Sequence, residues 1–378
     1  MIIERPALER RVLASLEASR IPVVLGGCGT GRTSLLQRVG QLVGTERSQY
    51  LDFVACTTTP ERCLTAVTSV TPFRATAAPL GNLPPTPAAF AAVMHFLDRA
   101  ATADGAAVTF LLDEWLELRT FESFPGLRHV QRDAIARLAA SPNRFVLASR
   151  FTTRAHRLLR DAPARFEVIH VPPLDVPEVQ ALAMVNHATD PAWTRAVAPA
   201  VTALSGGRAA YAAALMEALA ASGPTSDPVD TLAASMRPTG RLTALTRFSY
   251  ELRLHRARGY GALKAILGIL AEEEPLTLTD ISARLHRTPG STKDYLSWLE
   301  DVDVLAVQRK RYTFDDPLLR LFVRIHARPV PASREEIRRE VERYARARLP
   351  LAATETAPAV ADDVRNEPVR DSGIIEID

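Results

Sequence analysis

The pattern of apolar and polar positions in the first fifty residues changes twice. Apolar residues recur at helical spacing across 4–19, with Pro6 in the predicted first turn. They then form the run "IPVVLGG" at 21–27, which is typical of a buried strand that stops at glycines. From Thr33 to Val43 the spacing is again close to a helical period. The pattern therefore predicts a helix, a strand, a glycine-rich loop and a second helix.

Short apolar runs and helical patterns continue to alternate as far as residue 173. Further strands are predicted within the runs 48–56, 106–115, 143–150 and 165–174. The stretch 71–87 is rich in proline and small residues and is predicted to be a long exposed loop. Strands that alternate with helices indicate an α/β fold, with a mostly parallel sheet covered by helices on both faces.

The pattern changes character after Pro173, where helical spacing is no longer interrupted by strand-like runs. A helix, helix, helix and hairpin order follows, and a charged helix then begins at a capping box from Ser333 to Glu336. The predicted parts are a core at 1–173, a helical lid at 174–239, a helix-and-hairpin unit at 240–330, a charged helix at 331–350 and a disordered acidic tail at 351–378.

Composition narrows the class of protein without identifying it. With 378 residues, 47% of them hydrophobic, the chain can bury more than one core. The formal net charge of +3 gives no global field that would mark a nucleic-acid or membrane protein. Three cysteines cannot build a disulfide framework, and their spacing fits no zinc site. With no signal-peptide run and no membrane-length apolar segment, we expect a cytoplasmic protein without membrane contact.

The loop between the first strand and the second helix matches the spacing of a phosphate-binding loop. Its pattern is Gly26-x-x-x-x-Gly31-Arg32-Thr33, with the usual lysine replaced by arginine. Glycines let successive backbone N–H groups turn towards a phosphate, and the following helix adds its positive N-terminal end. A chance glycine-rich turn is the alternative. The candidate nucleotide-binding residues of this loop are Gly26, Gly27, Cys28, Gly29, Thr30, Gly31, Arg32, Thr33 and Ser34.

A second motif, "VTFLLDEW", places two acids at the end of a predicted strand, where ligands bind in open α/β sheets. Here Asp113 would hold Mg²⁺ through water, and the hydroxyl of Thr33 would be a ligand of the ion. Glu114 would polarise the attacking water and is a candidate catalytic residue. A strand that ends in Asp-Glu is a weak signal alone. Paired with the upstream loop, it predicts a site for ATP or ADP with Mg²⁺ as cofactors.

Arginine at position 32 bears directly on turnover. Lysine fits inside such a loop as a compact point charge, whereas arginine is larger and planar and prefers two oxygens at once. Binding of Mg-ATP can survive this change while alignment of the γ-phosphate suffers. Three outcomes stay open: active or slow hydrolysis by an ATP hydrolase, binding without turnover, and a decayed site. The first is favoured because Thr33, Asp113 and Glu114 are all retained.

These motifs resemble those of the AAA+-related and STAND-type P-loop ATPases with a C-terminal winged helix, a group that includes archaeal-type ATPases and relatives of origin-recognition ATPases. The resemblance covers about residues 1–330. It rests on "ERPALERRVL" before the strand, on "GGCGTGRTSLL" and "FLLDEW", and on the sensor-like strand "FVLASRF". It continues in "FEVIHVPPLDVPEVQAL", "LSGGRAAYAAALMEAL" and "RYTFDDPLLRLFVR". It implies a P-loop core, a helical lid and a winged helix.

The resemblance also implies roles for residues outside the two motifs. Ser149 would be a catalytic sensor of the γ-phosphate, Arg5 would border the adenine, and Arg208 would approach the phosphates from the lid. One of the arginines after the sensor strand would reach the nucleotide of a neighbouring subunit in a homo-oligomer; these are Arg150, Arg154, Arg157 and Arg160. The segment "GGRAAY" lacks the proline that usually follows the lid glycines, which puts the role of Arg208 in doubt.

The segment 260–316 follows the plan of a helix-turn-helix with a wing. The turn is predicted at 288–290, and the third helix at 291–302 would bury Leu296 and Leu299 and expose residues 291–294. A recognition helix reads base edges while a basic wing holds phosphates. Acids on the same helix leave both double-stranded DNA and a protein partner open. The candidate nucleic-acid residues are Thr292, Lys293, Arg309, Lys310 and Arg311.

Three functions are therefore compatible with the sequence. The first is an ATP-dependent switch that couples nucleotide binding and slow hydrolysis to the winged helix. The second is a catalytically weak nucleotide-binding adaptor, and the third is a DNA-binding regulator. The final segment "GIIEID", at 373–378, alternates apolar and acidic residues and could add a strand to the sheet of a partner. It could equally be an unstructured end.

Overall fold

A computed structural model of the chain describes residues 4–69, 71–76, 85–186, 190–254 and 259–349. The acidic tail with its "GIIEID" segment and the middle of the loop predicted at 71–87 lie outside the described residues. Within the described residues no helix combines the length and the apolar composition needed to cross a membrane.

The N-terminal part is built on a five-stranded sheet in which every pair of neighbouring strands is parallel. The strand order is β2-β3-β4-β1-β5. The strands are β1 (Ile21–Leu25), β2 (Ser48–Asp52), β3 (Thr109–Asp113), β4 (Arg144–Ser149) and β5 (Phe166–His170). The helices of this part are α1 (Pro6–Glu17), α2 (Arg32–Val43), α3 (Phe53–Cys56), α4 (Pro60–Ser69), α5 (Pro85–Arg99), a 3-10 helix (Trp115–Ser123), α6 (Val130–Ala140) and α7 (Thr152–Leu159).

Helices cover both faces of this sheet, as the sequence predicts for the α/β fold. Successive side chains of a strand point to opposite faces. Val24 accordingly packs in a cluster with Val12 of α1 and Leu36 of α2. Its neighbour Val23 joins a second, larger cluster that includes Val93 of α5. The strands β1 and β3 are buried along their whole length, so they read as continuous apolar runs.

The second strand is shorter than predicted. The run 48–56 forms β2 only as far as Asp52, whose carboxylate accepts a hydrogen bond from the backbone N–H of Val54 at 2.9 Å. This contact caps the short helix α3. The apolar residues after Asp52 therefore continue as a helix, because a capping acid competes with the strand pairing.

The second part is helical, as predicted. The helices are α8 (Val176–Asn186), α9 (Pro191–Ser205), α10 (Ala209–Ser222), α11 (Pro228–Ser235) and α12 (Arg241–Leu254). The turn between α9 and α10 contains two glycines with positive φ, Gly206 and Gly207. A Cβ on Gly207 would lie 2.6 Å from the carbonyl oxygen of Leu174, so only glycine allows this approach.

The C-terminal part follows the predicted order of helix, helix, helix and hairpin. Its elements are α13 (Tyr260–Glu272), β6 (Leu276–Thr277), α14 (Leu278–Leu285), α15 (Pro289–Asp301), β7 (Leu305–Gln308), β8 (Arg311–Phe314), α16 (Pro317–His326) and α17 (Arg334–Arg346). The three strands form an antiparallel sheet in the order β6-β8-β7. The capping box predicted from Ser333 to Glu336 is confirmed, with both of its hydrogen bonds present.

The prediction that Thr292 is exposed is wrong. Thr292 is fully buried, and its hydroxyl donates to the carbonyl oxygen of Thr288 at 3.0 Å. The helix α15 begins at Pro289, two residues earlier than predicted, with Thr288 as its N-cap. Residues 292, 296 and 299 then share one face of the helix, and Leu296 and Leu299 are buried with Thr292, as helical spacing requires.

One continuous cluster of buried apolar side chains runs through the N-terminal, helical and C-terminal parts. It includes Leu25 of β1, Leu204 of α9 and Leu267 of α13. The boundaries proposed between the parts stay a prediction.

A cluster of phenylalanine side chains on one face of the sheet offers a test of the fold. Phe110 is fully buried, and its ring contacts those of Phe73, Phe96 and Phe145 at 5.8–5.9 Å between centroids. We expect Phe110→Ala to lower the free energy of unfolding by about 3–5 kcal/mol, because it removes apolar contacts and leaves a cavity. Urea denaturation measures this. The control is Phe248→Ala, at a ring that is 66% exposed, which should cost about 0.5 kcal/mol or less. Equal losses would contradict the core assignment.

Candidate functional site

The loop between β1 and α2 turns through two glycines in the left-handed region. Gly29 has a φ of 76° and Gly31 a φ of 95°, which glycine adopts without a Cβ clash. Gly31 is the N-cap of α2, so the free N–H groups and the positive end of the helix dipole meet the loop. A cavity of about 260 Å³ is lined by the predicted residues from Gly29 to Ser34 and by Ala209, Ala210 and Ala213 of α10.

The two predicted metal-binding residues are in direct contact. The Thr33 hydroxyl donates to Asp113 Oδ2 at 2.6 Å, and the Tyr50 hydroxyl donates to the same oxygen at 2.9 Å. Burial and the charge of Asp113 raise the pKa of Tyr50, so Tyr50 stays a donor at neutral pH. The second oxygen of Asp113 is buried without a hydrogen-bond partner among the described residues.

This pair fits Mg²⁺. A hydroxyl and a carboxylate are hard oxygen ligands, and Mg²⁺ commonly takes only one or two protein ligands beside phosphate and water oxygens. The unpartnered oxygen of Asp113 is available to such an ion or to its water. The described residues contain no group of three or more His, Cys, Asp or Glu side chains that could hold a metal on their own. Tyr50 was missed by the sequence analysis, because its role depends on the pairing of β2 with β3.

Arg32 lies inside the loop and is bonded to Glu114. Its Nη2 donates to Glu114 Oε1 at 2.6 Å, while Nη1 donates to the carbonyl oxygens of Gly26 and Gly27. The side chains of Arg32 and Glu114 are both 7% exposed. The second oxygen of Glu114 accepts the backbone N–H of Arg150 at 3.1 Å. Both oxygens of the predicted catalytic acid are therefore engaged, and the predicted phosphate-binding cation holds one of them.

Ser149 lies at the same edge of the sheet, in register with Leu25 of β1. It is fully buried, and its hydroxyl accepts the backbone N–H of Phe151 at 3.0 Å. Its carbonyl oxygen accepts the N–H of Gly26 at 3.5 Å, which ties β4 to the start of the loop. The fold thus brings Ser149 to the loop, as the parallel strand order requires.

Arg5 forms a buried link between the N-terminus and the lid. Its guanidinium donates to both oxygens of Glu178 in α8, at 2.8 and 3.1 Å, and to the carbonyl oxygen of Pro172 at 2.9 Å. Its own N–H donates to Glu9. The sequence analysis missed Glu178, because only the fold places α8 beside Arg5. That Arg5 borders an adenine stays a prediction.

Arg208 lies against the glycine loop from the lid side. Its Nη1 donates to the carbonyl oxygen of Cys28 at 3.3 Å, and a Cβ on Gly27 would lie 2.4 Å from the same nitrogen. Its Nη2 contacts Asp315 at 3.0 Å, and its Nε lies 3.6 Å from Asp316. Burial alone would lower the pKa of Arg208, but Asp316 and Asp315 outweigh it and the pKa is raised. The loop, the lid and the segment before α16 therefore meet at this arginine.

The helix α10 begins directly over the loop. The N–H of Ala210 donates to the carbonyl oxygen of Gly29 at 2.9 Å. A Cβ on Gly29 would approach that of Ala210 to 2.9 Å. Small residues on both sides therefore allow α10 to pack closely against the loop.

The four arginines predicted as candidates for reaching a neighbouring subunit have different surroundings. Arg150 donates to Glu117 at 2.6 Å, and Arg157 pairs with Asp301 of α15. Arg154 is half-buried and Arg160 is exposed. Of the candidate nucleic-acid residues, Lys293 on α15 and the hairpin residues Arg309, Lys310 and Arg311 are exposed.

The parallel sheet, with its glycine loop between β1 and α2, has the architecture of a P-loop NTPase fold. Among solved structures, the Walker-type ATPase PABY2304 of Pyrococcus abyssi is similar over 86% of this chain and 96% of its own, with a TM-score of 0.61 and 16% identity. This likeness confirms the α/β fold that the sequence predicts for the core, whereas the helical lid and the winged helix stay predictions.

Two further solved structures are similar over most of the chain at lower TM-scores. The ORC1 protein of Aeropyrum pernix, solved in complex with DNA, matches over 91% of this chain and 93% of its own, at 15% identity and a TM-score of 0.45. RuvB of Thermotoga maritima matches over 82% and 92%, at 13% identity and 0.39. No family model matches the sequence, and no curated protein matches it.

The buried ion pair between Arg32 and Glu114 can be tested by a double-mutant cycle. We expect Arg32→Met alone to lower the free energy of unfolding by about 3 kcal/mol, because it leaves the Glu114 carboxylate buried without its main partner. Adding Glu114→Gln should restore part of the loss, which urea denaturation of the four proteins would measure. Arg338→Met, at an exposed pair with Glu342, should cost about 0.5 kcal/mol or less. Strict additivity at Arg32 and Glu114 would refute the pairing.

Proposed function

We propose that this chain is a nucleotide-dependent switch that binds ATP with Mg²⁺ at the glycine loop and hydrolyses it slowly. The observation that carries the proposal is the contact between Thr33 and Asp113 at the N-terminus of α2, with one carboxylate oxygen of Asp113 left unpartnered. A glycine loop offers backbone N–H groups to phosphates, and this pair offers oxygens to the accompanying cation. When bound, Mg²⁺ would neutralise charge on the transferred phosphate.

In this proposal Arg32 slows hydrolysis by holding the Glu114 carboxylate until a nucleotide binds. Its Nη2 donates to one oxygen of Glu114, and the same guanidinium group can donate to phosphate oxygens. An incoming γ-phosphate would therefore compete with Glu114 for Arg32. The Nε of Arg32 makes no hydrogen bond to any described residue, so it is also available to the phosphate. Release of Glu114 would free its carboxylate to accept a proton from the attacking water. Hydrolysis is slow because this exchange of partners has to precede it.

Two contacts support coupling to the C-terminal helices. The helix α7 follows Ser149 and Arg150 directly, and the Asp303 carboxylate accepts the backbone N–H groups of Thr152 and Thr153 at its start. Arg157 on the same helix pairs with Asp301. If nucleotide binding moved the end of β4, these contacts would transmit the movement through α7 to α15. Arg208 offers a second route, since it touches the loop and Asp315 together.

A nucleotide-binding adaptor without turnover is the second candidate. It is favoured by the same bond between Arg32 and Glu114, if phosphate binding does not break it. The two candidates bind the same ligand, so only turnover separates them.

Turnover by the full chain is the first functional test. We expect the wild type to hydrolyse Mg-ATP slowly, and Arg32→Lys to raise kcat, because one ammonium group cannot reproduce the separate bonds of the guanidinium to Glu114 and to the loop carbonyl oxygens. We expect Glu114→Gln to lower kcat by about 100-fold or more with little change in the Kd for Mg-ATP. Phosphate release and a fluorescent nucleotide analogue measure the two quantities.

The possible results separate the candidates. Binding with no turnover in the wild type or in Arg32→Lys would support the adaptor and retire the ATPase. Equal turnover in wild type and Glu114→Gln would remove Glu114 from its proposed role. Loss of nucleotide affinity in Thr33→Ala, with the fold intact, is expected if Thr33 holds the cation.

Contact with double-stranded DNA through the β7–β8 hairpin is a further candidate, favoured by the exposed cations at its tip. If Arg309, Lys310 and Arg311 neutralise phosphates, replacing all three with alanine should weaken duplex binding and make the slope of log K against log salt shallower by about 2–3. Fluorescence anisotropy at several salt concentrations measures this. Alanine at Arg338, Arg339 and Arg346, three exposed cations of α17, is the matched control. Identical slopes in all variants would favour a protein partner for this part.

A further inference from the structure

A second cavity, separate from the one at the glycine loop, lies between the N-terminal part and the C-terminal helices. Its volume is about 330 Å³. Residues 57–58 after α3, Thr120 of the 3-10 helix and the segment around Arg150 and Arg154 form one side. The other side comes from Arg253 of α12 and from Trp298 and Val302 at α15. Three arginines therefore line one partly open cavity.

Arg253 is the least satisfied of these arginines. It is 2% exposed, and none of its three guanidinium nitrogens makes a hydrogen bond to any described residue. A buried charge without hydrogen bonds is strongly unfavourable unless a partner compensates it. Burial lowers the pKa of Arg253, but Cys28 and Asp316 outweigh that effect, so the pKa is raised and the side chain stays cationic.

Other donors in the wall of this cavity are also unused. Arg150 Nε, Arg154 Nε and Trp298 Nε1 are buried without a hydrogen-bond partner among the described residues. Burial lowers the pKa of Arg154, and the charge of Arg119 adds to this effect, while Asp301, Glu117 and Asp303 oppose it.

The acids around the cavity are already engaged. Glu117 accepts from Arg150, Asp301 from Arg157, and Asp303 from the start of α7. None of these three carboxylates makes a hydrogen bond to Arg253, whose guanidinium nitrogens are all unpartnered among the described residues.

We propose that this cavity binds a phosphate group. A tetrahedral oxyanion with several acceptor oxygens is the ligand that can bond to many converging N–H donors at once and neutralise Arg253. The phosphate belongs either to a separate phosphorylated ligand or to the terminal group of a nucleotide. The proposal does not depend on hydrolysis, and it stands on contacts other than those of Thr33 and Asp113.

The test is a titration of the full chain with inorganic phosphate in a phosphate-free buffer, with chloride at matched ionic strength as the blank. Calorimetry gives the Kd, and the melting temperature gives an independent readout. We expect binding by the wild type and an increase in Kd of about tenfold or more in Arg253→Met, which removes charged hydrogen bonds. Arg160→Met, at an exposed arginine outside the cavity, is the matched control and should leave the Kd unchanged.

The glycine loop could also take phosphate, so a loop variant separates the two sites. Arg32→Met should retain the Arg253-dependent binding. In phosphate-free buffer the melting temperature of Arg253→Met is compared with that of the wild type, because this change also removes the charge that faces Asp316. If Arg253→Met fails to fold, Arg154→Met provides the same comparison. Absence of phosphate binding by the wild type, or an unchanged Kd in Arg253→Met and Arg154→Met, would overturn the proposal.

A final comparison identifies the source of the phosphate. Protein saturated with Mg-ADP and protein saturated with a non-hydrolysable Mg-ATP analogue are titrated in parallel. Binding to both supports a separate phosphorylated ligand, whereas binding to the ADP form alone supports the terminal phosphate of the nucleotide. Arg253-dependent phosphate binding in a chain that does not bind Mg-nucleotide would refute the proposed function and leave this inference standing.

Discussion

Parallel pairing in the order β2-β3-β4-β1-β5 brings the ends of β1, β3 and β4 to one edge of the sheet. The glycine loop, the Asp113–Glu114 pair and Ser149 each follow one of these strands, so their meeting depends on this register. The strands hold it because they are buried on both faces, where a slip would misplace a whole row of apolar side chains. The chemistry at the edge is thus fixed by the apolar core beneath it.

Three arginines paired with carboxylates lie at or near this edge of the sheet. Arg32, Arg150 and Arg208 are all buried or nearly so, and each is bonded to a carboxylate that comes from another element. Such pairs cost desolvation and contribute little net stability. An arginine in place of lysine suits this arrangement, since its fork can bind Glu114 and a loop carbonyl oxygen together.

Local patterns explain where the predictions failed. Helical spacing from the correct start of α15 places Thr292 with Leu296, but the prediction began the helix two residues late and so exposed it. The end of β2 was misjudged because the capping bond of Asp52 outweighs the apolar run after it. In both places a side-chain oxygen sets a helix start, which apolar periodicity alone does not register.

The sequence by itself determined the alternation of strands and helices, the glycine loop and the identity of the two acids. These follow from spacing along the chain, which fixes local backbone geometry and the burial of each face. Only the tertiary structure decided the partners of the charged side chains. Arg32 is 82 positions from Glu114, and Arg208 is 107 positions from Asp315. Local sequence patterns do not predict such contacts. They form when separate elements pack together, because a buried charge is strongly unfavourable unless an opposite charge lies beside it.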